Sequence, residues 1–270
     1  MPLVVCATPI GNLEDVTLRV LRELGEAEIV LCEDTRRTRV LLHRHGIRAE
    51  RLLSFHRHNE AARAAEVLPL LEQGVRVALA SDAGLPGVND PGAGLVAEAL
   101  RRGVPVTVLP GPSAVETALV ASGLVGERYT FVGYLPRGDS ERTRLWEELR
   151  AWSWPAVAFE SPRRLPASLA SLAAVDPERE VAVCRELTKR FEEVVRGPAC
   201  ELAERFREPP KGELTLVFGP GTGPRPAASE LEAVAAVAEL VEAGVTRRAA
   251  VAVVSRLSGL PRNRLYRESL

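Results

Sequence analysis

Short β-branched apolar runs alternate with helical stretches through the first part of this chain, and that alternation most restricts what it can fold into. The runs are LVVCA (3–7), EIVLC (28–32), VRVALA (75–80) and VTVLP (106–110), with helical patterning at 15–24, 36–44, 59–73 and 91–102 between them. A helix between two strands returns the chain to the same edge, so successive strands lie parallel and the helices cover the sheet. Gly25, Gly46, Gly74 and Gly103 fall just past the helical stretches, where a left-handed residue closes the last turn. Asn59 and Asp90 are placed to cap helix starts, and Pro91 suits a first turn. Pro69, inside the third stretch, predicts a kink or an early end.

After Gly123 the pattern restarts with YTFVGYLP (129–136), PAVAFE (155–160), EVAVCREL (180–187) and ELTLVFG (213–219). Helical stretches at 139–150 and 162–174 and a less regular segment, 189–208, separate these runs. More aromatics and more alternation predict a mixed sheet here. The expected class is α/β: two α/β domains, 1–112 and 113–220, then a small helical domain within 221–270. GPGTGPRPA (219–227) reads as a Gly/Pro linker. Beyond it, 230–244, 246–259 and 261–270 read as three short helices in a helix-turn-helix-like arrangement. Residues 245–270 hold six arginines and one glutamate, with Arg262, Arg264, Tyr266 and Arg267 together on the last helix. Two readings stand: a nucleic-acid-contacting appendage, or a solvated basic cap.

Thirty-five basic against 36 acidic residues give a net charge of −1, so any attraction to nucleic acid must come from a local patch. The four cysteines show no CxxC spacing, and Cys6, Cys32 and Cys184 sit in apolar runs, as small buried hydrophobes do. With no basic-then-apolar leader and no run near the roughly 18 apolar residues of a membrane span, a cytoplasmic protein without membrane attachment is expected.

Three kinds of ligand compete for the Gly-rich stretch SDAGLPGVNDPGAG (81–94). GAGLVA (92–97) has the letters of a dinucleotide fingerprint but begins well past its strand, and no G-x-x-x-x-G-K-[ST] occurs. All four histidines, His43, His45, His56 and His58, cluster in one short window, yet residues 36–58 carry seven arginines against one glutamate. That cationic window suits a phosphate-facing surface better than a metal, and no metal is expected. What remains is a set of loops that each follow a strand: TPIGN (8–12), SDAGLP (81–86) and PGPSA (110–114). In an open parallel sheet such loops converge at the carboxyl ends of the strands. Their backbone-rich composition suits a ligand with an adenine edge, a ribose and an amino-acid end.

ATPIGNLEDVTLR (7–19), CEDTRRT (32–38), HRHNE (56–60), SDAGLPGVNDPG (81–92), LPGPSA (109–114), FVGYLPR (131–137), FESPRR (159–164) and RELTKRFEE (185–193) together resemble the ribosomal RNA small subunit methyltransferase I family. Its members are 16S rRNA (cytidine-2'-O)-methyltransferases of the tetrapyrrole methylase superfamily. The resemblance runs through essentially the whole chain, tail included. Leu85, Asn89 and Tyr134 stand where the family more often has Thr, Ser and Phe. The resemblance implies two α/β domains holding S-adenosylmethionine in the cleft between them and a homodimer. It also implies methylation of cytidine 1402 of 16S rRNA in the assembled small subunit.

By matched position, the resemblance places Pro9, Gly11, Ser81, Ala83, Gly84, Ser113, Ala114 and Gly133 at the donor. Displacement at a sulfonium needs alignment and a base for the ribose hydroxyl. RELTK supplies Glu186 as a candidate base, and Arg185 and Lys189 as groups for a phosphate or an alkoxide. Asp82 is an equal candidate base, and an ion pair between Glu186 and a neighbouring arginine is the structural alternative. Arg36, Arg37, Arg39, Arg57, Arg185, Arg262 and Arg264 are the candidate RNA contacts, while Glu33, Asp34 and Arg36 either shape the RNA entrance or form a structural salt bridge.

Overall fold

The structure is a computed structural model that describes residues 2–222, 230–258 and 260–269. In the first half, the elements run β1 (Leu3–Cys6), α1 (Leu18–Glu26), β2 (Ile29–Cys32), α2 (Thr35–Arg44), β3 (Leu52–Ser54), α3 (Glu60–Glu72), β4 (Val77–Ala80), α4 (Ala93–Arg101) and β5 (Val106–Leu109). All strand pairings are parallel, in the order β3-β2-β4-β1-β5. Alternate residues of the three central strands face opposite layers. Leu3, Val5, Ile29, Leu31, Val77 and Leu79 pack with Val67, Leu71, Leu95 and Ala99 of α3 and α4. Val4, Cys6, Val30, Cys32, Ala78 and Ala80 pack with Val20, Leu24, Leu41 and Leu42 of α1 and α2. Burial raises the Cys6 thiol to about 12 and the Cys32 thiol to about 11, so both act as small apolar groups.

Four local expectations are corrected. Gly25 lies inside α1, and its place as terminator is taken by Ala27, whose N–H bonds Glu23 O at 3.0 Å. Pro69 does not end α3, which continues to Glu72; the buried Val67, Leu68 and Leu71 hold the last turn against the sheet. The Asn59 side chain does not cap α3. It ties the preceding loop instead, accepting from His56 N at 2.7 Å and donating to Ser54 O at 3.0 Å. Asp90 and Pro91 stay outside α4, which starts at Ala93 behind Gly92 (φ 129°). Gly92 N donates to Glu60 Oε1 at 3.1 Å, and a Cβ there would stand 2.7 Å from Leu79 Cδ2, so the chain needs glycine at this crossing. The three-residue edge strand β3, with every side chain half-buried, carries too little pattern to read from sequence.

Directly after β5 comes α5 (Ala114–Ser122), followed by β6 (Thr130–Tyr134), α6 (Asp139–Arg150), β7 (Ala156–Glu160), α7 (Leu165–Val175), β8 (Glu180–Arg185), β9 (Glu193–Pro198), α8 (Ala199–Arg205) and β10 (Leu214–Phe218). The second sheet, β6-β7-β10-β8-β9, is mixed: β6 and β7 are parallel and the other pairings antiparallel. The segment read as irregular is β9 and α8, an edge strand whose charged residues obscure its alternation. α6, α7 and α8 cover one face, with Trp146 against Phe218 at a ring separation of 5.2 Å. On the other face lie Val115, Ala118 and Leu119 of α5, over Val157, Ala182, Cys184 and Val217. Ile10, from the loop after β1, joins this same cluster and so ties the two sheets together.

The start of the expected linker is docked rather than free. Gly219 N bonds Glu180 O at 2.7 Å and Gly221 N bonds Trp152 O at 2.8 Å; residues 223–227 lie outside the described ones. The tail forms α9 (Glu230–Glu242), α10 (Arg247–Ser258) and α11 (Arg262–Glu268) around its own small core of Ala233, Val237, Ala250, Val251, Val254 and Leu265. Among the described residues, no helix is long and apolar enough to cross a membrane.

Candidate active site

Three loops at the carboxyl ends of β1, β4 and β5 meet. Thr8 and Gly84 form a reciprocal backbone bridge, N–H to O at 2.8 and 2.9 Å. Thr8 Oγ1 donates to Ser81 O at 3.0 Å, and Ser81 Oγ donates to Gly84 O at 2.9 Å. The hydroxyls of TPIGN and SDAGLP are therefore spent on each other, and the two loops behave as one unit. In the third loop, a Cβ on Gly111 would lie 2.8 Å from Ala7 Cβ, so only glycine lets PGPSA approach this close. A cleft of about 780 Å³ opens between these loops and the ends of β6, β7 and β10. A smaller recess of about 270 Å³ adjoins it and shares Ile10, Arg37, Asp82, Ala83 and Glu213 with it.

Ala83, Gly84, Ser113 and Ala114 line the larger cleft. Pro9, Gly11 and Ser81 line the recess, together with Lys189. Asp82 lines both. Gly133 lines neither: it forms the bulge in β6 (φ 74°), where a Cβ would lie 3.4 Å from Asn89 Oδ1. Gly11 marks a contact between the halves, since its Cβ would lie 2.6 Å from Lys189 Cγ and 2.8 Å from Leu187 O. Of the candidate RNA contacts, Arg37 stands on the cleft wall and Arg36, Arg39 and Arg57 are exposed. Arg185 pairs with Glu193 at 3.0 Å; Arg262 and Arg264 are exposed on α11. Among the described residues no group of His, Cys, Asp or Glu is arranged to hold a metal.

Apolar walls from Ile10, Val115, Phe131, Phe159 and Leu187 face backbone from Pro110 to Pro112, in a volume typical of a small-molecule site. Residues 2–203 match the family described as Tetrapyrrole (Corrin/Porphyrin) Methylases. A protein of Thermotoga maritima named ribosomal RNA small subunit methyltransferase I is 45% identical over 80% of this chain and 97% of its own. One of the same name from Halalkalibacterium halodurans is 38% identical over 98% of this chain and 93% of its own. The chain belongs to the ribosomal RNA small subunit methyltransferase I family. A crystal structure of uroporphyrin-III C-methyltransferase from Thermus thermophilus, complexed with S-adenosylhomocysteine, shares the fold: TM-score 0.56, 21% identity, 81% of this chain and 97% of that one.

As a methyltransferase of this family, the protein uses S-adenosylmethionine, and the cleft fits such a donor. No side chain caps α5, so its first N–H groups are presented beside Ser113 and Ala114 on the cleft wall. The carboxylate of Glu116, bonded to Ser113 Oγ and Tyr129 OH, faces the same cleft.

The charged candidates are largely engaged in holding the family's loops. Asp82 Oδ1 accepts from Asp34 N at 2.9 Å and Oδ2 pairs with Arg37 at 3.4 Å, which fixes the start of α2 to the loop after β4. Asp34 in turn caps α2 and binds Arg36, whose guanidinium holds the Asp34 carboxyl far below the usual range. Asp34 and Arg36 thus form a salt bridge, while Glu33 lines the cleft. Glu186 Oε1 accepts from Glu213 N at 2.9 Å and Lys189 Nζ at 3.0 Å, so the ion pair is with lysine, not arginine. Those bonds, the Glu213 N–H foremost, keep its carboxyl below the ordinary value, and Glu186 lines neither cavity. Burial opposes the Lys189 ammonium, but its bonds to Glu186 and Glu213 outweigh that and raise its pKa. Glu186 (φ 52°) and Thr188 (φ 64°) both sit in the left-handed region, on the order of 1 kcal/mol of strain each, and these bonds hold them there. FESPRR is a latch: buried Glu160 accepts from Ser161 N and Ser168 Oγ and pairs with Arg164, which donates to Leu135 O and Pro136 O, both at 2.7 Å.

Sequence reasoning placed Asp90 as a helix cap and not among the catalytic candidates. It lines the cleft, where burial, then Glu33 and Asp82, push its carboxyl up to about 6. Tyr134, across from it, is also on the wall. In the structure Asp90 and Pro91 lie in the turn before α4, which starts at Ala93 behind Gly92 (φ 129°).

Proposed function

We propose that this protein transfers a methyl group from S-adenosylmethionine to the ribose 2'-hydroxyl of cytidine 1402 of 16S rRNA, acting as a homodimer on the assembled small subunit. The observation that carries this reading is the cleft built from three backbone-rich loops, in a chain 45% and 38% identical to two proteins named ribosomal RNA small subunit methyltransferase I. The donor supplies a methyl group on a positively charged sulfur. Ala83, Gly84, Ser113 and Ala114 form the wall against which it lies. The loops carrying Pro9, Gly11 and Ser81 fix that wall, and Gly133 shapes the opposite side through Asn89. Asp82 and Glu186 hold the two rims in register, and Lys189 at the recess is placed for a phosphate or a developing alkoxide. Arg36, Arg37, Arg39 and Arg57 on the first half make a basic rim for the RNA backbone, and Arg185, Arg262 and Arg264 extend it.

Incubating the protein with labelled S-adenosylmethionine and small subunits tests this directly. Label is expected on one ribose, with alkaline cleavage blocked at that nucleotide. Label on a base ring, or only on a small molecule, contradicts the reading.

Deleting residues 223–270 is expected to weaken transfer to subunits about tenfold or more while leaving donor affinity by calorimetry unchanged. The tail has its own core and its arginines act as phosphate contacts, each sequence-independent and salt-sensitive. Equal turnover by the truncated and full-length proteins would remove the tail from RNA docking.

A further inference from the structure

Six carboxylates stand on the cleft wall: Glu33, Asp82, Asp90, Glu116, Glu160 and Glu213. Four are spoken for. Asp82 is held by Asp34 N and Arg37, and Glu116 by Ser113 and Tyr129. Glu160 is held by Ser161, Ser168 and Arg164, and Glu213 by Lys189. Asp90 and Glu33 have no hydrogen bond or ion pair from a described residue. Asp90 is also rigidly mounted. Its turn is set by Gly87 (φ 89°), Asn89 (φ 60°) and Gly92 (φ 129°), and pinned by Arg57 Nη2 to Asn89 O at 3.0 Å and Gly92 N to Glu60 Oε1 at 3.1 Å.

From this geometry we infer that Asp90 is the catalytic base that accepts the proton of the acceptor hydroxyl, an inference that rests on the ribose-methylation reading. The hydroxyl oxygen bonds to the methyl carbon as the carbon–sulfur bond breaks. The electron pair of that bond stays on sulfur, and the proton ends on the Asp90 carboxylate. Free lone pairs on a fixed support are what a base needs, and the other engaged carboxylates would first have to break their own bonds. The groups around Asp90 are Glu33, Asp82, Arg37 and Arg57 from the first half, and Tyr134 and Glu213 from the second. Burial and the two like charges oppose ionisation of Asp90, and Arg57 favours it, leaving its pKa at about 6.

The test compares wild type and Asp90→Asn in single-turnover methyl transfer to small subunits between about pH 5 and 8, with calorimetry of S-adenosylmethionine and thermal unfolding over the same range. The wild-type rate is expected to rise with pH through about 6 and then level, since the base must be deprotonated. Asp90→Asn is expected to lose the rise and to be slower by a factor of about 10² to 10⁴, with donor affinity within about threefold of wild type. The stability readout has a definite sign. Because the folded pKa lies above the ordinary 3.8, the folded state holds more protons between those values, and stability falls as pH climbs to about 6. Removing the charge therefore leaves Tm above pH 6 unchanged or higher. Ribose label from wild type with an undiminished Asn variant, or with the pH rise intact in that variant, overturns the inference alone. A fall in Tm or donor affinity that matches the rate loss also overturns it, since the effect is then structural. Wild-type label on a base ring overturns the ribose reading and this inference together.

Discussion

Arg179→Ala is expected to lower the unfolding free energy by about 3–5 kcal/mol, enough to remove a large part of the stability of an ordinary domain. The side chain is fully buried and burial draws its pKa down to about 10, so it is still charged at neutral pH. Its Nη1 donates to Leu149 O at 2.7 Å at the end of α6, and Nη2 donates to Gly219 O at 2.6 Å just past β10. Asp176, also buried, stands 3.8 Å from Nη1, too far for a strong bond. Arg179 Nε and Asp176 Oδ2 have no hydrogen-bond partner among the described residues. The attraction of the pair is weak; the cost of removing one member is not. Alanine leaves Gly219 O without this donor, Leu149 O with Trp152 N at 3.1 Å, and the Asp176 carboxylate with Thr222 Oγ1 as its remaining partner among the described residues. Lysine cannot reach both carbonyls, so Arg179→Lys recovers little. Adding Asp176→Asn to the alanine variant should return part of the loss, because the stranded charge is removed. Urea unfolding monitored by circular dichroism reads all three. A single variant within about 1 kcal/mol of wild type would show that the clamp contributes nothing.

Gly11→Val is expected to cut kcat/KM for methyl transfer by about 100-fold, the effect of displacing aligned groups by about 1 Å. Gly11 carries no chemistry of its own. Its Cα faces the backbone of the RELTK loop, where a Cβ would stand 2.6 Å from Thr188 Oγ1 and 2.8 Å from Leu187 O. Asn12 N already bonds Thr188 Oγ1 at 3.0 Å, so the loop has no slack. The backbone carbonyl cannot swing away as a flexible side chain would. Valine therefore pushes the loop after β1 away from the second sheet, and with it Ile10, which belongs to the core shared by both halves. Gly11→Ala is the milder member of the pair and should lose less. Initial-rate kinetics on small subunits measure the effect, and a valine variant with full kcat/KM would mean that the two rims move independently.

Much of the architecture is legible in the residues because it depends on short-range repetition. LVVC, IVLC and VALA are buried on both faces in the parallel sheet, as continuous β-branched runs demand, while VTVL forms its edge, half-buried with Val108 exposed. The mixed character of the second sheet also follows from its alternating runs. β3 escapes because three residues carry too little pattern, and β9 because the charged residues of an edge strand obscure its alternation. Within the cleft, the loops that follow β1, β4 and β5 are recognisable by glycine and proline, whose backbone freedom and fixed φ suit close approach.

By itself the sequence determined the strand and helix order, the convergence of three loops on one sheet end, and family membership, because each is written in neighbouring residues. Only the tertiary structure decided which charged groups are free. Asp82 meets Asp34 and Arg37 from 48 and 45 residues away, and Glu186 meets Glu213 N from 27 away. No local pattern announces such partners, because a hydrogen bond depends on separation in space. Asp90 shows the converse: its motif suggests a helix cap, but α4 starts only at Ala93, behind Gly92 (φ 129°), and the Asp90 carboxylate lines the cleft without a hydrogen-bond or ion-pair partner among the described residues.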